Sequence, residues 1–305
     1  MDRTEAIAVF VEVADRRSFV AAARRLRRSP TAVTRAVGEL ETRLGVRLLN
    51  RTTRAVSLTE AGDRFLAGAR RVLADLEEIE RAAVGEGTAP RGELRVTAPF
   101  LFGRLHVLPI VTEFLSRFPD VSVALSLLDR PVDLVEEGLD IAMRIGPLVE
   151  TSAVATRVGA VRRIVVASPA YLAQHGTPHA PLDLGQHAIV AFSGVAGVEH
   201  WVFRDAAGET SVAIRPRLVV TTAEAALDAV RTGWGITRVL SYQAADDIAR
   251  GSLRRLLSAH EGDELPIHLL YPGGRHPPPK LRAFIDFARP RLRRRCEELM
   301  RAIHS

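Results

Sequence analysis

The stretch SFVAAARRLRRSPTAVTRAVGELETRLG, residues 18–45, decides how the N-terminal part of the chain folds. Ser18 is a good N-cap for a short helix, and Ser29 is a good N-cap for a second helix that has Pro30 at its first position. Gly45 suits the left-handed position that ends this second helix. Its apolar stripe, spaced four, three and four residues apart, consists of Val33, Val37, Leu40 and Leu44. Two short helices joined by a tight turn, the second amphipathic, predict a helix-turn-helix.

The polar side of the second helix is the candidate contact surface for DNA. In a helix-turn-helix, the N-terminal residues of this helix reach base edges in the major groove. Arginine can pair bidentately with guanine, and threonine can donate, accept or touch a thymine methyl group. The candidate residues are Ser29, Pro30, Thr31, Thr34, Arg35 and Gly38. A structural three-helix core with a solvated polar face is the alternative.

The segments on both sides extend this motif. Apolar residues at helical spacing predict a first helix that begins after Thr4, and Val20 is expected to face inward from the next helix. Residues 47–50 and 55–58 indicate two short strands that form a β-wing. Arginines of a wing usually contact phosphates or a minor groove, which adds affinity without base information. The turn of this wing consists of Arg51, Thr52, Thr53 and Arg54.

Positive charge is concentrated at this end of the chain. The first 60 residues contain 12 arginines and 7 acidic residues, whereas the whole 305-residue chain has a net charge of only +6. A basic N-terminal part on a nearly neutral body indicates a nucleic-acid-binding domain. A solvated basic face fits the charge equally well.

A connector helix is predicted after the wing, with Thr59 as its cap. Apolar residues recur there at an average spacing near 3.5, which is typical of a coiled-coil seam. The pattern ends in GEGTAPRG, residues 85–92, a Gly/Pro hinge. The seam residues are Phe65, Leu66, Ala69, Val72, Leu73, Leu76, Ile79 and Ala83. One helix of a globular core is the alternative.

From Glu93 onward, predicted strands and helices alternate, which favours a parallel α/β sheet. The first set comprises strands at 93–98, 121–128 and 140–145 and helices at 102–118 and 131–138. A second set, within residues 161–265, has strands at 163–168, 188–193, 211–216 and 235–239 and a helix at 225–233. The chain then returns through a strand at 267–271 to a last helix that begins near Pro279.

The N-terminal motif resembles the winged helix-turn-helix of the LysR-type transcriptional regulators. The family pattern has SF, A-A-x-x-L, S-x-x-(S/T)-x-x-(I/V)-x-x-L-E-x-x-L-G-x-x-L-(F/L), R-T-x-R and L-T-x-A-G, and nearly every marker is present. The likeness covers essentially the whole chain. One departure is Arg35–Ala36, where many members carry a glutamine. This difference concerns the identity of the operator bases and not the mode of binding.

The resemblance implies an α+β multidomain fold with three parts. These are a winged helix-turn-helix DNA-binding domain at 1–58, a linker or dimerisation helix and hinge at 59–89, and an effector-binding domain at 90–305. The last part would be an α/β body of two subdomains, similar to a type 2 periplasmic binding protein. Subdomain I would take about 90–160 and 267–305, and subdomain II about 161–266.

By the same resemblance, a small-molecule effector lies in the cleft between the subdomains, near the carboxyl ends of strands. Thr221 is predicted to cap a helix, with Glu224 completing a capping box. Helix N-termini on both sides of the cleft favour an anion such as a small carboxylate. The candidates are Thr97, Pro99, Phe100, Leu101, Arg144, Ile145, Gly146, Phe192, Ser193 and Thr221. Ordinary capping and packing is the alternative for each, and Arg144 has Asp140 and Glu150 as possible ion-pair partners.

The implied function is a DNA-binding transcription regulator. It would bind double-stranded DNA at an operator or promoter as a homodimer or homotetramer and respond to a small-molecule effector, for which an anion is expected. RNA polymerase is a further partner that this function implies. No apolar run approaches the length of a membrane span, so a cytoplasmic protein with no membrane partner is expected.

Two other classes of protein fit the body alone. A solute-binding protein would need a signal peptide, which MDRTEAIAVF at residues 1–10 does not resemble, and it has no use for a basic winged domain. An α/β enzyme would need a catalytic constellation, but the sequence has no G-x-S-x-G, P-loop or G-x-G-x-x-G. The histidine spacings and the single Cys296 suggest no metal site, so no cofactor is expected.

Overall fold

The computed structural model describes residues 2–51, 56–83, 89–148, 153–192, 200–205, 208–273 and 277–304. The chain forms two compact units, Met1–Ala89 and Pro90–Ser305, which we call the head and the body. The connector helix therefore belongs to the same unit as the helix-turn-helix. The mixed α and β architecture agrees with the predicted fold class. The finer domain boundaries after residues 58 and 160 stay predictions.

The head is a three-helix core with a two-stranded wing and a long final helix. The two wing strands pair antiparallel, and the first begins at Leu49, two residues later than predicted. In chain order the elements are α1 Arg3–Arg16, α2 Phe19–Arg25, α3 Pro30–Leu44, β1 Leu49–Arg51, β2 Val56–Leu58 and α4 Glu60–Ala83.

Helix caps explain where these helices begin. The hydroxyls of Ser18, Ser29 and Thr59 accept hydrogen bonds from the backbone N–H three residues further on, at distances from 2.9 to 3.2 Å. Each satisfies one of the N–H groups that a helix start leaves without an internal partner. Gly45 ends α3 at a φ of +70°, as predicted.

The first helix and the inward face of the second differ from the prediction. α1 begins at Arg3, before Thr4, because the Asp2 carboxylate accepts the Arg3 N–H at 2.7 Å and caps the helix there. Val20 is 51% exposed and does not face inward. The inward positions of α2 are taken by Ala22 and Ala23.

The first half of the predicted seam packs inside the head. Leu66 and Ala69 are buried in the head core. The ring of Phe65 packs edge-on against Phe10, with centroids 5.4 Å apart. Val72 points the other way and is 54% exposed. This part of the 3.5-residue pattern therefore stabilises the head itself.

The body contains two groups of strands, each with its own core. Its helices are α5 Phe100–Phe102, α6 Leu108–Arg117, α7 Pro169–His175, α8 Ala223–Arg231, α9 Ser241–Ala249 and α10 Pro279–His304, and a π-helical turn, Gly103–Val107, joins α5 to α6. Its strands are β3 Gly92–Ala98, β4 Val121–Leu127, β5 Ile141–Ile145, β6 Ala153–Val161, β7 Arg163–Ala167, β8 Val190–Phe192, β9 His200–Asp205, β10 Gly208–Ala213, β11 Leu218–Val220, β12 Ile236–Leu240, β13 Arg254–Leu256 and β14 Leu265–Pro272.

Subdomain I is built on a mixed five-stranded sheet of order β4-β3-β5-β14-β6. β3 is parallel to β4 and β5, as predicted, but β14 is antiparallel to β5 and β6. The expectation of a wholly parallel sheet is therefore wrong at this side. β14 carries the chain back from the other subdomain, so no crossover helix fixes its direction. Phe284 of α10 packs edge-on against Phe114 of α6, 5.0 Å between centroids, and covers the sheet.

Subdomain II is less parallel than predicted. Its three-stranded sheet, β12-β7-β13, is antiparallel throughout, and β9 and β10 form an antiparallel hairpin. Among the named strands described in this subdomain, the parallel pair is β8 with β11.

The helix predicted at 131–138 is a run of turns. The Asp133 carboxylate accepts the backbone N–H groups of Val135 and Glu136 at 2.7 and 2.9 Å. A local side-chain bond of this kind competes with helix formation. Val135 is left largely exposed, and Gly138 closes the run at a φ of +65°.

Candidate DNA interface and ligand cleft

The predicted DNA-reading residues form one surface on the N-terminal half of α3. Thr31, Thr34 and Arg35 are exposed, and the Arg35 side chain keeps 80% of its accessible surface. The Thr34 hydroxyl donates to the Pro30 carbonyl at 2.9 Å, so its proton is already used within the helix. Ser29 and Pro30 are exposed at the helix start, and Gly38 is half-buried one turn beyond Thr34.

Arg35 is held by a neighbour on the same helix. Its Nε donates to Oε1 of Glu39 at 2.7 Å, one turn further along. This hydrogen bond is the main reason that the pKa of the Glu39 carboxyl lies below its usual value. Because the pair is exposed, it is a weak contact, and the guanidinium can exchange it for a base or a phosphate.

The carboxylate of Glu41 holds the start of the wing. Its place in the sequence motif did not predict this role. Oε1 of Glu41 accepts the backbone N–H groups of Leu48 and Leu49 at 2.8 and 3.0 Å. Glu41 is the acidic residue of the L-E-x-x-L-G run on α3, so these bonds connect the reading helix directly to β1. Charge-assisted bonds of this kind are stronger than neutral ones. The position of the wing is therefore set from α3.

The wing itself is only partly described. Arg51 ends β1 and lies opposite Val56 of β2. Thr52, Thr53 and Arg54 lie outside the described residues. Their contact with DNA stays a prediction.

Five of the predicted effector residues meet in one cleft of the body. The cavity has a volume of about 340 Å³, within the range of small-molecule sites. They come from three separate segments of the chain and are Pro99, Phe100, Leu101, Ile145 and Phe192. Thr97, Arg144, Gly146 and Thr221 are not among the residues that line this cavity, and Ser193 lies outside the described residues.

Thr97 and Arg144 lie within the sheet of subdomain I. Thr97 is fully buried, and its hydroxyl has no hydrogen-bond partner among the described residues. Arg144 donates through Nη1 to the Met143 carbonyl at 3.0 Å, while its Nη2 is buried without a described partner. Loss of hydration lowers the pKa of Arg144. The carboxylate of Asp140, suggested as a partner for Arg144, accepts the backbone N–H of Arg95 at 2.8 Å.

The cap of α8 is one residue later than predicted. The hydroxyl of Thr222, and not that of Thr221, accepts the Ala225 N–H at 3.3 Å. Glu224 is then the second helical residue, where it cannot complete a capping box, which needs the third position. Its carboxylate instead pairs with Arg104 at 2.5 Å.

At the start of α5, where an anionic ligand was expected, a carboxylate of the protein itself is bound. The backbone N–H of Phe100 donates to Oδ1 of Asp129 at 2.9 Å, so this helix start already holds a carboxylate. Asp129 and Glu224 both line the cleft, and Arg163 brings a guanidinium to it. Two of these residues lie beside strands that the sequence predicts, because Asp129 closely follows β4 and Arg163 begins β7.

One side of the cleft continues into a buried aromatic cluster. Tyr242 lines the cavity, and burial raises the pKa of its hydroxyl well above the usual value. The rings of Phe102, His106 and Tyr242 contact one another edge-on, with centroids 5.0 to 5.6 Å apart. Burial lowers the pKa of His106 to about 4, helped by the charge of Arg295, so this ring is neutral near pH 7.

No group of three or more His, Cys, Asp or Glu side chains in the described parts of the chain could hold a metal ion. No helix among those residues is long and apolar enough to cross a membrane.

Family models match both units of the chain. Residues 4–63 match the bacterial regulatory helix-turn-helix protein of the lysR family, and residues 87–293 match the LysR substrate binding domain. A transcriptional regulator of Xanthomonas campestris is 35% identical over 288 residues, which are 93% of this chain and 84% of the relative. CrgA of Neisseria meningitidis serogroup C is 34% identical over 286 residues, covering 93% and 95% of the two chains.

Solved structures agree along nearly the full length. The structure of CrgA from Neisseria meningitidis, a LysR-type transcriptional regulator, has a TM-score of 0.61 at 32% identity and covers 96% of this chain and 99% of that one. Full-length AphB, a virulence activator of Vibrio cholerae, has a TM-score of 0.61 at 28% identity and covers 94% and 98%. The relatives are transcriptional regulators. With a DNA-binding head and an effector-binding body, this chain belongs to the LysR family of transcriptional regulators.

Proposed function

We propose that α3 and the wing bind an operator or promoter site, and that a small carboxylate in the cleft of the body changes this binding. The observation that carries the proposal is the meeting of five separately predicted residues in one cavity of about 340 Å³. The chain acts as a homodimer or homotetramer, since regulators of the family oligomerise. It works in the cytoplasm, where bacterial chromosomal DNA is, and has RNA polymerase as a possible partner.

The operator would be read mainly by Thr31 and Arg35. Both side chains project from the exposed first half of α3, and Arg35 can release Glu39 to pair bidentately with a guanine. Arg51 would add phosphate contacts at the wing, together with Thr52, Thr53 and Arg54. Glu41 supports this arrangement, because its bonds to Leu48 and Leu49 hold β1 against α3.

The cleft supports a small ligand with an apolar body and one anionic group. Phe100, Leu101 and Phe192 supply an apolar wall, as is usual in such pockets. Arg163 is the guanidinium that lines the cavity and can pair with a carboxylate. Thr97, Arg144, Gly146, Ser193 and Thr221 stay predicted effector residues.

The test begins with a ligand screen on the full-length protein. Small aromatic and aliphatic carboxylates are added singly, and those that raise Tm are titrated into a fluorescence anisotropy assay with DNA from upstream of the gene. A ligand acts as an effector only if it binds one state of the protein better than the other, so its addition must change the apparent Kd for DNA.

Two matched variants then locate the site. Phe100→Glu places a negative charge in the cleft, whereas Leu105→Glu places one on the adjoining turn, at a residue outside the cavity lining with nearly the same exposure, 38% against 37%. The first variant should lose the effector response and the second should keep it, while both bind DNA without effector as the wild type does. A wild-type response of Phe100→Glu would show that the ligand binds elsewhere.

A further inference from the structure

We propose that Arg163 and Arg238 form a second binding site, for a small oxyanion, in a separate cavity of subdomain II beside the effector cleft. This cavity has a volume of about 220 Å³, several times the ~30 Å³ that one water occupies in the liquid. Its occupant would be an inorganic or organic phosphate, or a small carboxylate. The chemistry these share is an oxygen-borne negative charge that guanidinium groups bind through paired hydrogen bonds.

The strand register places the two arginines on one face. In the antiparallel pair β7–β12, Arg163 lies opposite Leu240, and Arg238 lies opposite Val165. Arg163 and Arg238 are therefore diagonal neighbours, roughly 7–8 Å apart at the backbone, a separation that long side chains can span. Both line the cavity, so a single anion can be reached by both guanidinium groups.

Neither arginine is neutralised by a carboxylate of the described residues. Arg238 donates through Nη1 to the Val202 carbonyl at 3.2 Å and lies over the Trp201 ring, 5.0 Å from its centroid. Loss of hydration, and then the nearby charge of Arg163, lower the pKa of Arg238 to about 10. Loss of hydration also lowers the pKa of Arg163.

The same cavity contains a third arginine, whose charge is neutralised. Arg204 lines it too, but its guanidinium is bound by Asp263 and Glu209. The three carboxylates that line the cavity are all paired with other arginines, Glu209 and Asp263 with Arg204 and Glu261 with Arg255. The charges of Arg163 and Arg238 are therefore not compensated by a described carboxylate and can attract an anion. Arg238 is half-buried, Arg163 is exposed, and both line the cavity.

The site would be coupled to the effector cleft. Arg163 and Leu265 line both cavities. An oxyanion held by Arg163 and Arg238 would draw the Arg163 charge away from a ligand in the cleft. Because coupling between two sites is reciprocal, each ligand would change the affinity for the other by the same factor.

The experiment measures Tm of the full-length protein with added anions. Inorganic phosphate, succinate and chloride are compared at equal ionic strength and pH, so that screening of charge is constant. Binding to the folded state alone raises Tm, and we expect phosphate, succinate or both to raise it by a few °C more than chloride. The anion that acts identifies the source; equal effects of all three would overturn the proposal.

Three variants test the assignment to these residues. Arg163→Gln and Arg238→Gln should each lose the extra shift, and Arg254→Gln, at an exposed arginine of the same sheet that does not line the cavity, should keep it. Arg163→Gln should also have an unchanged or higher Tm without added anion, since it removes a repulsion from Arg238. A lower Tm, or an oxyanion shift equal to that of the wild type, would show that Arg163 is only structural.

A cleft variant separates this site from the proposed effector site. Phe100→Glu should keep the full oxyanion shift, because Phe100 does not line the second cavity. Loss of the shift in Phe100→Glu would place the anion in the cleft and refute the second site. If Arg238→Gln does not fold, loss of the shift in Arg163→Gln together with its retention in Phe100→Glu still decides the question, because Arg163 lines both cavities and Phe100 lines only the cleft.

Discussion

Glu39 and Glu41 lie two residues apart on α3 and have different roles. Glu39 pairs with an exposed arginine that is free to leave, whereas Glu41 accepts two backbone N–H groups at the start of the wing. The sequence motif contains both carboxylates, but spacing alone does not tell which one is bound to side chains and which to backbone. The direction of each side chain, set by the turn of the helix, makes the difference.

Replacing Arg35 tests whether α3 reads bases directly. Arg35→Ala should weaken binding to the specific site by ~1–3 kcal/mol and binding to random DNA far less, because a bidentate contact to guanine carries base information and a phosphate contact does not. The measurement is the Kd for each DNA at one fixed salt concentration. Glu39→Gln is the matched control, because it removes the negative charge that pairs with Arg35 without removing Arg35 itself, and it should not weaken specific binding. Equal losses of Arg35→Ala on both DNAs would reduce Arg35 to a phosphate contact.

At the scale of secondary-structure elements, apolar periodicity predicted which helices and strands form, but not which surfaces they pack against. The caps by Ser18, Ser29 and Thr59 were predicted because capping is local chemistry. The seam of α4 was predicted as a surface between two chains, yet Leu66 and Phe65 pack within the head. A spacing near 3.5 residues marks an apolar face and carries no information about its partner.

Strand direction is the other property that periodicity does not carry. Alternating strands and helices suggested parallel sheets, but β14 and the β12-β7-β13 sheet are antiparallel. Their directions follow from where the chain crosses between subdomains, which depends on contacts between distant residues. The sequence analysis did not predict β6 or α9. The apolar residues of β6 do not alternate regularly as in a half-buried strand, and those of α9 do not recur at a clear helical spacing.

The second half of α4 gives a sharper test of oligomerisation. Val72 is exposed and Leu76 is half-buried, whereas Leu73 already packs against the head core. The double variant Val72→Glu with Leu76→Glu should shift the protein towards smaller oligomers in sedimentation velocity, because two carboxylates cannot be buried without partners.

Two controls accompany this variant. Ala74→Glu adds a charge to an exposed position about half a turn from Val72 and should leave the oligomer unchanged. Leu66→Glu should instead unfold the head, since Leu66 is buried in its core. An unaltered sedimentation coefficient of the double variant would place the main interface on another surface.

At the scale of the whole molecule, the cleft was predictable only in part. Pro99, Phe100 and Leu101 follow a buried strand, and the carboxyl ends of strands are where such folds bind ligands. Asp129 and Tyr242 reach the same cavity from segments far away in sequence. Their positions depend on the packing of α9 and of the β4 end, which no local pattern encodes.

The head and the body should respond differently to acid. All nine histidines of the chain lie after residue 89, so none belongs to the head. Desolvation lowers the pKa of His187 and His268, and burial lowers that of His106 to about 4. An unfolded chain binds a proton at each of these histidines near pH 6.5, while the folded body resists it. Protonation therefore favours the unfolded state of the body.

The sign of this effect determines the pH range over which the body loses stability. A depressed histidine pKa contributes stability that is complete above pH 6.5 and is lost as the pH falls towards 4. For His106, the loss should reach about 2 kcal/mol by pH 5, at 1.36 kcal/mol per pH unit below the unfolded pKa. Both tryptophans, Trp201 and Trp234, lie in the body, so tryptophan fluorescence follows its unfolding and hydrogen exchange follows the head. Between pH 7 and 5 the body transition should move to lower denaturant, while head amides should stay protected.

His106→Phe isolates the contribution of this ring, because it keeps an aromatic side chain beside Phe102 and Tyr242 and removes the group that titrates. The variant loses the acceptor for Arg295 Nε, at 3.3 Å, so its stability at pH 7 is set by two opposing changes and is not the readout. The readout is the slope of unfolding free energy against pH, which should fall in His106→Phe because this variant lacks the buried histidine whose pKa is lowered to about 4. A slope in His106→Phe as steep as in the wild type would mean that the acid sensitivity of the body comes from His187, His268 or the carboxylates, and not from the ring beside the cleft.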